Sequence, residues 1–187
     1  MRIISGKFKG KKILEPKDRS TRPLKDLTKE SIFNIIQHSN LINVSLAKSN
    51  ILDLFCGIGS FGLESLSRGA LSITFVENYL EAIQILKRNI ANLDFNEKSI
   101  IFEKDVFENN FFEELNKKFQ IVFIDCPYKE KRIYQLLENI NKSNILDTNN
   151  ILIIHRHKKE VNDFPKEVDI LKEVSYGVSK IIFFRFV

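Results

Sequence analysis

The chain has 187 residues, 43% of them hydrophobic and 28% charged, with a formal charge of +5. This length and balance predict one soluble domain with its own core and exclude wholesale disorder. Cys56 and Cys126 form no CxxC pattern, and no apolar run reaches the ~18 residues of a membrane span, so a reducing, cytoplasmic setting is expected, with no disulfide framework, metal, membrane partner or secretory leader.

Basic residues gather at the front. Residues 1–29 carry ten Lys or Arg against three acids, whereas the rest carries 19 against 21. That asymmetry is the electrostatic footprint of a polyanion contact. Residues 2–14 alternate loosely, with Gly6 and Gly10 as punctuation, which predicts a twisted β-hairpin turning Lys7, Lys9, Lys11 and Lys12 outward. A loop is expected over 16–23, so that 1–25 form a basic extension and 26–187 the main domain. Asp26 is the predicted N-cap of a helix through Ile32, Phe33, Ile35 and Ile36.

From residue 51 strands and helices alternate. Strands are predicted at 51–55, 72–76, 99–102, 120–124 and 151–154, and helices at 60–68, 79–93 and 130–141. Residues 169–176 and 179–187 predict two more strands about a turn at Gly177. The expected fold is α/β, a Rossmann-like three-layer sandwich around a mostly parallel seven-stranded sheet with an antiparallel C-terminal hairpin.

Gly57-Ile58-Gly59-Ser60-Phe61-Gly62 matches G-x-G-x-x-G, and Glu77 lies 20 residues beyond Gly57, the spacing of a ribose-binding acid in dinucleotide folds. A nicotinamide-dependent oxidoreductase is therefore one reading. Asp53, four residues before Gly57, opposes it: a carboxylate there repels a pyrophosphate and welcomes a cationic sulfonium ligand. Further on, the apolar residues 121–124 run into Asp125-Cys126-Pro127-Tyr128, which a parallel sheet puts on the same rim as the Gly57 turn. The Asp125 carboxylate and the carbonyl of residue 126 would accept both N–H groups of a conjugated amino nitrogen, with Tyr128 stacked on its ring. Cys126 has no sequence neighbour that would make it a nucleophile. His155-Arg156-His157-Lys158-Lys159 follows the fifth strand on the same rim, where it reads as a phosphate contact or as a solvated loop at a strand end, and its charge opposes a metal. The sixteen phenylalanines are expected mostly in the core.

Together these motifs resemble class I S-adenosylmethionine-dependent methyltransferases that alkylate amino nitrogens, and in particular the RsmD-type family acting on a guanine N2 of 16S ribosomal RNA. The resemblance rests on residues 2–10, on Arg22-Pro23 with Asp26 and residues 29–34, and on residues 53–64. It implies S-adenosylmethionine as cofactor, with Asp53, Phe55, Gly57 and Gly59 shaping its pocket. Glu77 and Asn78 would then lie at the ribose, and Asp105 and Val106 at the adenine. Asp125, Cys126, Pro127 and Tyr128 would hold the guanine, while Lys7, Lys9, Lys11, Lys12 and Arg22 would contact RNA. The implied partner is 16S RNA or an assembling small subunit, met by a monomer. Leu24 and Lys25 stand where the family often has threonines, and Cys126 where it has proline. The Asp125 tetrapeptide also suits DNA adenine N6 or a protein glutamine amide, and a catalytically silent RNA-binding factor is a further alternative.

Overall fold

The computed structural model describes residues 1–16, 24–160 and 163–187. Its centre is built from the apolar runs. β1 (Asn50–Leu54) and β4 (Phe119–Ile124) are buried at nearly every position, as parallel strands covered on both faces must be. With β2 (Ser72–Val76), β3 (Ser99–Phe102), β5 (Leu146–His157), β6 (Val168–Tyr176) and β7 (Ser179–Phe186) they form a seven-stranded sheet. Its order is β3-β2-β1-β4-β5-β7-β6. The first five strands pair in parallel, while β7 runs antiparallel to both β5 and β6.

The side-chain period of two along each strand divides the core between the two faces. Ile51, Ile121, Phe123 and Ile153 pack on one side with residues of α1 (Asp26–His38), α2 (Ser60–Ser67) and α3 (Leu80–Asn92). Leu52, Leu54, Val122, Ile124 and Ile154 pack on the other, with α4 (Ile133–Lys142). The sheet grows one way from β1 through β2 and β3, and the other way through β4 and β5. This reversal opens a crevice at the carboxyl ends of β1 and β4, where sheets of this kind bind ligands.

Three local expectations differ from the structure. The N-terminal hairpin is reduced to a clip with one antiparallel bridge, Arg2 to Lys12. Its arms pair through the Ile3 N–H to the Lys11 carbonyl, the Gly10 N–H to the Ile3 carbonyl and the Ile13 N–H to the Met1 carbonyl. Other backbone groups go to α2: the Ile4 and Ser5 N–H groups donate to the Glu64 carboxylate, and Lys7 N–H to the Ser67 carbonyl. Gly6 makes this approach possible, because a Cβ on it would sit 1.9 Å from that carbonyl oxygen. The clip's Ile3 and Ile13 are buried in the same core as α1. Asp26 is the first residue of α1, and Lys25 occupies the cap position with no side-chain bond.

The third difference matters most. β5 runs on to His157, so His155 and Arg156 are 3% exposed strand residues rather than a solvated loop. β7 carries β5 past its apolar run, pairing His155 with Ile181 and Arg156 with Lys180. Arg22 and most of the expected 16–23 loop lie outside the described residues.

Candidate active site

A cavity of about 490 Å³ opens at the carboxyl ends of β1 and β4. Asp53, Phe55, Gly57, Glu77 and Asn78 line one side, and residues 125–129 the other. Asp53 is 1% exposed; Gly62 N–H donates to its Oδ2 at 3.0 Å, while Oδ1 has no partner among the described residues. Burial pushes the Asp53 carboxyl well above its ordinary range, more than the Gly62 bond pulls it down. A cationic ligand beside Oδ1 would reverse that balance.

The glycine-rich turn is held by its own side chains. Phe55 and Gly57 adopt φ of 56° and 54°. Gly57 N–H donates to Glu77 Oε2 at 2.8 Å, and Glu77 Oε1 accepts the Asn78 and Tyr79 N–H groups at 3.0 and 2.9 Å. Glu77 therefore joins the turn to the start of α3. Gly59 N–H donates to the Cys56 carbonyl, and a Cβ on Gly59 would lie 2.4 Å from Leu86, whereas at Gly57 that direction is open. The amides that a pyrophosphate would need at Gly57 and Gly59 are taken, and the wall carries Asp53, Glu77 and Asp125 against Lys129. This electrostatic surface suits a cation and opposes a dinucleotide. The orphaned buried oxygen of Asp53 and the open space at Gly57 fit S-adenosylmethionine.

Across the cavity, Asp125 follows β4 directly and keeps 23% of its side chain accessible. Its Oδ1 lies 2.7 Å from His155 Nδ1. Arg156 sits behind the turn: it donates to the carbonyls of Pro127 and Glu130 at 3.1 and 3.2 Å, and to Cys126 Sγ at 3.2 Å. A longer bond runs to the Tyr128 carbonyl, and among the described residues none of these bonds goes to the carbonyl of 126. Burial raises the Cys126 thiol to about 11, so it is a packing group and not a thiolate. The Tyr128 ring meets the rings of His155 and His157 edge-on at 6.0 and 5.0 Å.

The cavity thus gathers Asp53, Phe55, Gly57, Glu77, Asn78 and residues 125–128, while Gly59 supports the turn from outside its lining. Asp105 and Val106 are also outside it. Asp105 Oδ1 accepts Phe107 N–H at 3.0 Å, and Val106 is buried in the α4-side core. Sequence reading missed Leu24, Phe61, Phe123 and Lys129 as wall residues, and put His155 and Arg156 on the shared rim without their contacts to the Asp125 turn. The long apolar strand 179–187 was the available signal, since it needs a partner of similar length.

Lys7, Lys9, Lys11 and Lys12 are exposed, but not at the cavity. Lys7 N–H bonds Ser67 at the end of α2, and Lys11 Nζ reaches Asn92, the last residue of α3. These helices have eight and 13 residues, so the lysines lie about 12–20 Å along them from the cavity end. Lys7 and Lys11 lie 5.2 and 4.9 Å from the Phe8 ring centre, and Phe8 packs edge-on against Phe95. Among the described residues no cluster of three or more His, Cys, Asp or Glu could hold a metal.

Strand order, crevice and superposition define the class: this is a class I methyltransferase fold. The structure of yhhF from Escherichia coli superposes with a TM-score of 0.81 at 22% identity, over 100% of this chain and 97% of that one. SMU.776, solved complexed with SAH, superposes with a TM-score of 0.66 at 18% identity, over 84% and 49%. The family described as Conserved hypothetical protein 95 matches residues 1–185, and the chain belongs to it. YlbH of Bacillus subtilis is 32% identical over 99% of this chain and 98% of its own. Ribosomal RNA small subunit methyltransferase D of Buchnera aphidicola subsp. Baizongia pistaciae is 31% identical over 83% and 76%.

Proposed function

We propose that this protein methylates the exocyclic N2 of a guanine in 16S ribosomal RNA, using S-adenosylmethionine and acting in the cytoplasm on the RNA or an assembling small subunit. One observation carries the reading: a buried carboxylate oxygen without a partner, on Asp53, shares a cavity with the Asp125-Cys126-Pro127-Tyr128 turn. The names of the relatives support ribosomal RNA as the substrate class.

When bound, S-adenosylmethionine supplies a methyl group made electrophilic by its sulfonium. Asp53 balances positive charge in the cavity, and Glu77, with three N–H groups already bound, keeps one lone pair on Oε2 for a ribose hydroxyl. The N2 lone pair of guanine is delocalised into the ring and is a weak nucleophile. Asp125 and the Cys126 carbonyl accept its two N–H groups, which turns the lone pair toward the methyl carbon, and Tyr128 stacks on the base to fix its plane. As the N–C bond forms, the C–S bond would break to leave a neutral thioether, and one N2 proton would depart by way of Asp125 to solvent. Positioning is the main source of rate. Lys7, Lys9, Lys11 and Lys12 grip phosphates of the same RNA at a distance from the base.

The test is methyl transfer from labelled S-adenosylmethionine to unmodified small-subunit RNA, to subunit particles and to unmethylated DNA, with nucleoside analysis of the nucleic acid and amino-acid analysis of the protein fraction. N2-methylguanosine is expected; label confined to DNA adenine or protein glutamine overturns the substrate. Asp125→Ala should abolish turnover with S-adenosylmethionine affinity within a few-fold of wild type, and a variant retaining full kcat would remove Asp125 from the chemistry.

A further inference from the structure

We infer that His155 is a positioning residue for methyl transfer: it holds one oxygen of the Asp125 carboxylate so that the other is presented to the acceptor amino group. This rests on the role given to Asp125 above. The juxtaposition follows from strand register. Ile124 of β4 is level with Ile154 of β5 in a parallel pair, so the next residue of each chain, Asp125 and His155, projects to the same face of the sheet. His155 reaches that position only because β7 extends β5 beyond its apolar run.

The pairing selects one state of the ring. An ionised carboxylate only accepts hydrogen bonds, so the 2.7 Å contact makes His155 Nδ1 the donor and Asp125 Oδ1 the acceptor. Nε2 is buried with no partner among the described residues. An imidazolium would place a charged N–H there without an acceptor, which costs more than an unfilled lone pair on a neutral ring, so the geometry favours the neutral Nδ1–H form. A neutral donor fixes the carboxylate without cancelling its charge, as a lysine or arginine at this position would. Asp125 Oδ2 makes no hydrogen bond among the described residues and lies on a side chain that lines the cavity. The ring itself cannot swing away: His155 is 3% exposed, and the Tyr128 ring stands edge-on to it at 6.0 Å. Asp125 therefore takes its orientation from a buried imidazole, and Tyr128 packs edge-on against that ring and, more closely, against His157.

His155→Phe keeps the ring volume and removes the donor. His155→Asn keeps an N–H the same number of bonds from the backbone as Nδ1. With unmodified small-subunit particles as acceptor, His155→Phe should lower kcat at least tenfold, leave the S-adenosylmethionine Kd within a few-fold, and be largely rescued by His155→Asn. Equal losses in the two variants would mean that packing alone is at work and would overturn the proposal, as would a His155→Phe kcat within twofold of wild type. Asp125→Asn in the same assay separates the two ideas. Lost turnover there beside an unaffected His155→Phe sinks only the role of His155, while full turnover in Asp125→Asn sinks both. A second readout needs no turnover. Nitrogen NMR of the free protein with labelled histidine, assigned among three histidines with the His155→Asn variant, should find His155 protonated at Nδ1 and bare at Nε2; the opposite tautomer overturns the inference.

Discussion

Beneath the N-terminal clip the Glu64 carboxylate accepts the Ile4 and Ser5 N–H groups at 2.7 and 2.9 Å, while beneath residues 125–130 the Arg156 guanidinium donates to the Pro127 and Glu130 carbonyls at 3.1 and 3.2 Å. Each loop turns a set of backbone groups inward, and each meets a buried side chain of the sign those groups require. The charges are balanced differently. Glu64 is fully buried with Arg68 at 2.7 Å and Lys29 at 3.6 Å. Burial depresses the Lys29 amine, which its attraction to Glu64 only partly offsets. Arg156 has Glu160 no nearer than 3.9 Å and directs its donors mainly to carbonyl dipoles. The clip is thus secured by a closed charge network, and the turn at 125–130 by a geometric template that sets where Asp125 and the Cys126 carbonyl stand.

Removing the centre of the closed network should have the largest effect. Glu64→Leu strands Lys29 and two inward N–H groups, and a loss of about 3–5 kcal/mol in denaturant unfolding is expected; a loss below 1 kcal/mol would show that water replaces the carboxylate. Arg156→Met should cost less, about 2–3 kcal/mol, but should lower methyl transfer at least tenfold with S-adenosylmethionine affinity retained. Unchanged kcat in that variant would show that the turn keeps its shape without a guanidinium. The smallest effect on folding belongs to the clip's outer face. Changing Lys9, Lys11 and Lys12 to Glu should alter stability by no more than about 0.5 kcal/mol, yet flatten the salt dependence of RNA binding by a log–log slope of about 2–3. An unchanged slope would remove these lysines from the RNA contact.

Much of the scaffold was legible because its physics is local. The apolar runs at 72–76 and 99–102 were placed to the residue, and β1, α2, α3 and β4 to within one residue at each end. Periodicity and glycine positions carry that information without tertiary context. The Asp53 and Asp125 motifs could be put on one rim because strands of a parallel sheet share their carboxyl edge. The hairpin is shorter than its alternation suggests because the pattern in 2–14 says nothing of Glu64 and Ser67, bonded across 59–62 residues, which take several of the backbone groups a longer ladder would use.

By itself, then, the sequence determined the α/β alternation, the acid before the glycine turn, and the acceptor-bearing tetrapeptide after the fourth strand, all set by neighbours within a few residues. Only the tertiary structure decided what stands behind them. His155 and Arg156 look like solvated charge at the end of an apolar run, and they become a buried brace because β7, more than 20 residues later, supplies the hydrogen-bonding partner that carries β5 past Ile154. The distance of the lysines from the cavity was likewise fixed by packing, through the contacts of the clip with the far ends of α2 and α3. Such placements depend on backbone hydrogen bonds between segments remote in sequence, and no local pattern encodes them.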